Sequence, residues 1–127
     1  MNILLDTCEA LWFMAGEENL SMKYRNAFAD PSNQLFLSVV SDWEIAIKHS
    51  IGKLNLDHPP RHYLMEGRRR LGIQTLPLFP EPTYALEHLP HFHKDPFDRI
   101  LICQANVHGL IFASSDPLVR VYPVSIL

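Results

Sequence analysis

Hydrophobic and polar positions alternate along this chain in blocks, and each block has the length and punctuation of one secondary element. Asn2–Leu5 is a short apolar run, the character of a strand buried on both faces. Asp6-Thr7 ends it, and a helix starts over Glu9–Met14, with Thr7 placed to cap it, before a loop at Gly16–Asn19. Ser21–Ala29 predicts a second helix, stopped by the turn signal Asp30-Pro31-Ser32-Asn33. Leu35–Val40 predicts another strand. Ser41-Asp42-Trp43-Glu44 has the form of a capping box ahead of a helix that ends near Gly52.

After Pro59-Pro60 the pattern predicts a basic helix over 61–71, a strand over Ile73–Leu78, and a helix from Pro80 through Leu89. Asp95-Pro96 supplies an N-cap and a first-turn proline for a helix reaching Val107, apolar almost all round and therefore deeply packed. Gly109 ends that helix. A strand over Leu110–Ala113, a turn at Ser115-Asp116-Pro117 and a last strand over Tyr122–Ile126 complete the chain. Strands alternating with helices predict an α/β fold: a three-layer sandwich around a mostly parallel sheet. No repeat or long linker divides the chain, so residues 1–127 are expected to form a single domain.

Composition agrees with that expectation. Of the 127 residues, 47% are hydrophobic, enough for a real core at this length. Cys8 and Cys103 are both flanked by apolar residues and read as reduced core thiols of a cytoplasmic protein, not as a disulfide scaffold. The first fifteen residues are interrupted by Asp6 and Glu9 and no basic stretch precedes them, so they are not expected to act as a signal peptide; no apolar run is long enough to span a bilayer. The formal net charge of −3 argues against nucleic-acid binding at first sight. Positive charge is nevertheless concentrated in Arg61, Arg68, Arg69 and Arg70, which form either a solvated helix face or a surface for phosphates or a partner.

The candidate chemistry lies in four acids, Asp6, Glu44, Asp98 and Asp116. Each falls where a strand is predicted to end or a helix to begin, and in an open α/β sheet those points share one edge. Each also has a structural role available: Asp6 as a helix cap, Glu44 and Asp98 at the third helical position after Ser41 and Asp95, Asp116 as a turn residue. Gathered together they repel, each pair by roughly 4 kcal/mol at 4 Å and an effective dielectric near 20. A hard divalent cation with oxygen ligands is the ordinary remedy, and carboxylates suit Mg²⁺ or Mn²⁺. One or two such ions can orient a phosphodiester and activate a water. His88, His91 and His93 match no zinc spacing and read as a loop, with His93 within reach of a substrate phosphate. No hydrolase elbow, phosphate loop or dinucleotide fingerprint is present.

These residues resemble a known family. Leu4-Leu5-Asp6-Thr7, Ser38-Val39-Val40-Ser41 leading to Trp43-Glu44-Ile45, His93-Lys94-Asp95-Pro96-Phe97-Asp98-Arg99 with Ile102 and Gln104-Ala105, and Ser114-Ser115-Asp116 with Tyr122 are similar, from end to end and in order, to the PIN-domain ribonucleases. The similarity is greatest to the VapC-type toxins of toxin–antitoxin pairs. The resemblance implies an endoribonuclease using Mg²⁺ or Mn²⁺ held by Asp6, Glu44, Asp98 and Asp116, with Ser114 in the supporting hydroxyl position and Asp95 as a further motif acid. It also implies a homodimer, an antitoxin that inserts into the acidic groove, and contact with DNA only through the antitoxin complex. Two departures stand out: Cys8 follows Asp-Thr where histidine is common, and Ser114 replaces a threonine. Two other classes compete. One is a non-catalytic binding or regulatory module on the same fold, disfavoured by the intact acidic set. The other is a phosphatase with Asp6 as nucleophile, disfavoured because Cys8 stands where its second aspartate belongs.

Overall fold

The computed structural model describes Met1–Leu127, and its elements follow the blocks of the sequence. They are β1 (Asn2–Leu5), α1 (Thr7–Ala15), α2 (Met22–Ala29), β2 (Gln34–Ser38), α3 (Val39–Ser50), α4 (Pro60–Leu71), β3 (Ile73–Leu76), α5 (Pro80–Ala85), α6 (Pro96–His108), β4 (Ile111–Ala113) and α7 (Pro117–Arg120). A single 3₁₀ turn, Leu86–His88, extends α5.

All four strands are parallel, in the order β3-β2-β1-β4. Side chains alternate along the strands between two cores, one on each face of the sheet. Ile3, Leu5, Leu35, Leu37, Ile73 and Ala113 face α1, α2, α3 and α4, where they meet Met14, Tyr24, Phe28, Ile45 and Leu64. Leu4, Leu76 and Phe112 face the other way, onto Ile100, Leu101, Ile102 and Cys103 of α6. Each fully buried Leu, Ile or Phe among them contributes about 1.5–3 kcal/mol by leaving water, so the two layers together fix the sheet. The fold is therefore the expected α/β/α sandwich. No helix is long and apolar enough to cross a membrane.

The order of the strands positions the site. From β1 the sheet grows one way through β2 to β3; the chain then crosses back to lay β4 on the opposite side of β1. The carboxyl ends of β1 and β4 flank that reversal, the crevice where open α/β sheets bind ligands. The Asp6 amide donates to the Ala113 carbonyl at 3.0 Å and ties the two ends together.

Several expectations are corrected. Helix α3 begins at Val39, not after Ser41: Ser38 caps it by accepting from the Val40 amide at 3.0 Å, so β2 runs into the helix without a loop. Glu44 therefore lies in the second turn of α3, and no capping box forms. Ser41, freed from capping, is fully buried and hydrogen-bonds Thr7. Thr7 is not the cap of α1 either; Asp6 is. The expected strand over Tyr122–Ile126 reduces to one bridge, Phe112 to Ile126, because Pro123 has no amide to donate. Of the two cysteines only Cys103 is buried, whereas Cys8 opens to solvent.

Candidate metal-binding site

At the carboxyl end of the sheet lies a cavity of about 400 Å³, lined by Asp6, Glu44, Asp98 and Asp116 together with Thr7, Glu9, Lys48, His93 and Asp95. The four acids predicted from sequence thus share one hollow. Local folding explains how each arrives there. Asp6 follows β1 and caps α1 through Oδ1, which accepts the Thr7 amide at 2.8 Å; its Oδ2 accepts the Ser114 hydroxyl at 2.6 Å. Asp116 follows β4 and caps α7 by accepting the Leu118 amide at 2.9 Å. Asp95 caps α6, accepting from the Phe97 and Asp98 amides, and so presents Asp98 in the first turn. Capping and site-building are the same geometry at three of these positions.

His93, Asp98 and Asp116 form the tightest group, with ligand atoms all within 4.8 Å of one another. His93 Nε2 is 2.8 Å from Asp98 Oδ2 and 4.0 Å from Asp116 Oδ2. The loop that carries His93 is held by two side chains. Tyr122 Oη accepts the His93 amide at 2.8 Å, and the buried guanidinium of Arg99 donates to Tyr122 Oη and to the Pro90 carbonyl. Arg99 and Tyr122 belong to the resemblance motifs, yet their work as braces for His93 has no signal in sequence.

Glu44 is 4% exposed and held differently. Its Oε1 accepts the Thr7 hydroxyl at 2.8 Å, and its Oε2 accepts the ammonium of Lys48, one helical turn on. Glu9 is buried as well and accepts both the amide and the hydroxyl of Ser115, bracing the segment before Asp116. Neither Lys48 nor Glu9 was identified from sequence. The Glu44–Lys48 spacing is the common i,i+4 surface pair, which carries no message of its own.

Electrostatics mark the cavity as short of positive charge. Burial, reinforced by the charges of Asp98 and Glu9, pushes Asp6 up to about 7 despite its bond from Ser114. Burial likewise raises Asp98 to about 6, against the hydrogen bond from His93, with Asp95 and Glu44 adding repulsion. The Cys8 thiol at the rim is pushed up to about 11 by desolvation and then by Asp6 and Glu9. A carboxylate-rich donor set of this kind, with its acids held against their ionisation, fits a hard divalent cation such as Mg²⁺ or Mn²⁺.

The arginines of α4 behave otherwise. Arg68 makes a two-pronged bond to Asp42, both contacts 2.8 Å, and donates to the Leu37 carbonyl. Arg69 pairs with Glu66, and Arg70 donates to the Met14 carbonyl at 2.8 Å. Of the four, Arg61 alone has no hydrogen-bond or ion-pair partner, so they do not form one free basic face. A shallow hollow of about 530 Å³ beside Arg61, His62, Met65 and Arg69 is larger than the acidic cavity but gathers no comparable chemistry.

Comparison with known proteins bears on the family and the fold. The family profile of the PIN domain matches residues 3–122. Among solved structures, VapBC2 from Rickettsia felis, bound to a DNA fragment from the promoter, superposes with a TM-score of 0.72 at 14% identity, over 100% of this chain and 97% of that one. VapBC-1 from nontypeable Haemophilus influenzae superposes with a TM-score of 0.59 at 14% identity, over 91% and 87%. No curated protein sequence matches significantly. At that identity the solved structures speak for the fold alone, whereas the profile matches almost the whole chain: this chain belongs to the PIN domain family.

Proposed function

We propose that the chain, acting as a single PIN domain over residues 1–127, is a divalent-metal-dependent endoribonuclease and the toxin of a VapC-type pair. One observation carries the reading: four acids from four separate parts of the chain line one cavity whose single lysine pairs with only one of them. Asp98 and Asp116 would hold the cation, with Asp6 beside them and His93 at its edge. When bound, Mg²⁺ or Mn²⁺ supplies charge neutralisation for a phosphodiester and lowers the pKa of a nearby water.

The chain's own residues do the rest. Ser114 fixes Asp6, Thr7 fixes Glu44, and Arg99 with Tyr122 fixes His93, so the carboxylate oxygens stand ready without reorganisation. Hydrogen-bonded to a carboxylate, the attacking water is oriented toward phosphorus. Its oxygen forms the new bond to phosphorus, the bond to the 3′ oxygen breaks, and the electron pair leaves with that oxygen. The carboxylate accepts the proton from the water, and the 3′ oxygen takes one from solvent. Arg61, on the exposed start of α4, is the arginine still free to meet an RNA phosphate or a partner.

The VapBC neighbours, one of them bound to promoter DNA, motivate a cognate antitoxin that restrains the chain and DNA contact only through that complex; a homodimer in the cytoplasm completes the proposal. The test compares cleavage of RNA by wild type and Asp6→Asn, each with Mg²⁺ and with chelator. Cutting by wild type with Mg²⁺ alone is expected. Equal cutting in all four conditions points to a contaminating nuclease and ends the assignment.

A further inference from the structure

We propose that Lys48 is a catalytic residue of this cavity, its ammonium supplying to the substrate phosphate the positive charge that a second metal ion would otherwise bring. The pocket then takes one divalent ion rather than two. The inference rests on the nuclease reading above and deepens it.

Glu44 is the starting point. Both of its oxygens already have protein donors, Thr7 on Oε1 and Lys48 on Oε2. It stands outside the close group of His93, Asp98 and Asp116 that offers a metal its ligands. The acidic cavity therefore has two unlike halves. On one side, carboxylates and an imidazole nitrogen converge with no cation among them. On the other, a buried carboxylate is neutralised by an ammonium of the chain itself.

Lys48 is also placed to do more than neutralise. An ammonium has three donors, and Glu44 takes one. The side chain is 45% exposed and lines the cavity wall, so two donors remain for a phosphate oxygen. It is the single Lys or Arg among the lining residues, against the acids Asp6, Glu9, Glu44, Asp95, Asp98 and Asp116. A second metal ion on the Glu44 side would have to displace it and would meet its charge at close range. Glu44, in this arrangement, positions Lys48 instead of ligating metal. In the in-line hydrolysis described above, Lys48 donates hydrogen bonds to the phosphate as its oxygens gain charge, and keeps its own proton throughout.

The experiment counts ions and measures cleavage with the full chain. Calorimetric titration with Mn²⁺ is run on wild type, Lys48→Met and Lys48→Arg, and initial rates on total RNA are measured at saturating Mn²⁺. Expected are one ion in wild type, a rate about a hundredfold or more lower in Lys48→Met with Mn²⁺ affinity changed less than about threefold, and partial recovery in Lys48→Arg. Two ions in wild type, a Lys48→Met rate within about tenfold of wild type, or a rate loss matched by lost Mn²⁺ affinity would each overturn the proposal. Should wild type bind Mn²⁺ yet leave RNA intact, the nuclease reading itself fails. The catalytic role of Lys48, which rests on that reading, is then overturned with it.

Discussion

Two charged regions of this molecule make opposite use of the same raw material. The acids of the cavity are scattered through the sequence, and folding gathers them with little to neutralise them. The arginines of α4 are crowded within ten residues, and folding disperses them: Arg68 onto Asp42, Arg69 onto Glu66, Arg70 onto the end of α1. A local run of like charge is relieved cheaply, since a helix points successive side chains to different neighbours. Charge brought together by tertiary structure has no such escape, and it persists where the fold is built to receive something of opposite sign. Uncompensated charge is thus the better guide to function, and sequence clustering the poorer one.

The largest effect that follows is on the reaction. Asp98→Asn keeps the shape of the cavity but removes a charge from the His93, Asp98, Asp116 group, and RNA cleavage is expected to fall on the order of 10²–10³-fold or more. Arg68→Ala, a loss of one charge in the other region, should leave the rate per folded molecule unchanged. Initial rates at matched folded concentration check the contrast; equal losses in the two variants would erase the distinction.

Stability against pH separates the regions next. Asp6 holds its proton up to about 7 in the folded protein against an ordinary 3.8. Between those values the folded state binds more protons than the unfolded one, so stability falls as pH rises through the window and stays low above it. Asp98, raised to about 6, acts in the same direction. The combined effect is on the order of a few kcal/mol. Thermal melts in chelator should show a higher midpoint at pH 5 than at pH 8. Saturating Mn²⁺ should recover the difference at pH 8, because a ligand of the folded state alone stabilises it. Asp6→Asn should flatten the profile. A midpoint rising steadily from pH 5 to pH 8 without metal would show that the acids are already neutralised.

How far the chain could be read before folding follows from the same contrast. Gly16 and Gly109 end α1 and α6 in left-handed conformation, and the punctuation they provide made those boundaries readable. Asp6 and Asp116 were readable as site candidates because a cap and a strand-end acid occupy the same place, and Asp98 because it follows the cap Asp95 into the first turn of α6. Glu44 was identified for the wrong local reason. It reaches the cavity from the second turn of α3, since Ser38 and not Ser41 starts that helix. The last strand failed because one proline outweighs an alternating pattern, and a bridge of one residue leaves no periodic trace. Glu9 and Lys48 were unreadable because their partners, Ser115 and the cavity itself, are distant or look ordinary along the chain.

Within α4 the comparison narrows to individual arginines. Arg68 is 13% exposed at the side chain and binds a half-buried aspartate and a backbone carbonyl. Arg68→Ala leaves Asp42 and the Leu37 carbonyl without their donor and should cost about 2 kcal/mol, visible as a lower denaturation midpoint. Arg69→Ala, which removes an exposed i,i+3 pair, should leave the midpoint unmoved. A shift of equal size in both would mean that the stretch acts as one solvated face and that burial of Arg68 contributes nothing.

The smallest expected effect belongs to Arg61, the one arginine of the stretch that folding leaves without a partner. If uncompensated charge marks function, Arg61 should show it as weak, salt-sensitive attraction for RNA and not as catalysis. Arg61→Ala is expected to leave kcat and the melting midpoint unchanged and to raise KM by no more than about threefold. The slope of log KM against log salt concentration should become shallower by about 0.7, the loss of one phosphate contact on a single strand. Arg69→Ala, already neutralised by Glu66, should leave that slope where it was. A slope identical in wild type and Arg61→Ala would take α4 off the path of the RNA and restrict the principle to the cavity, where the uncompensated charge is buried as well as gathered.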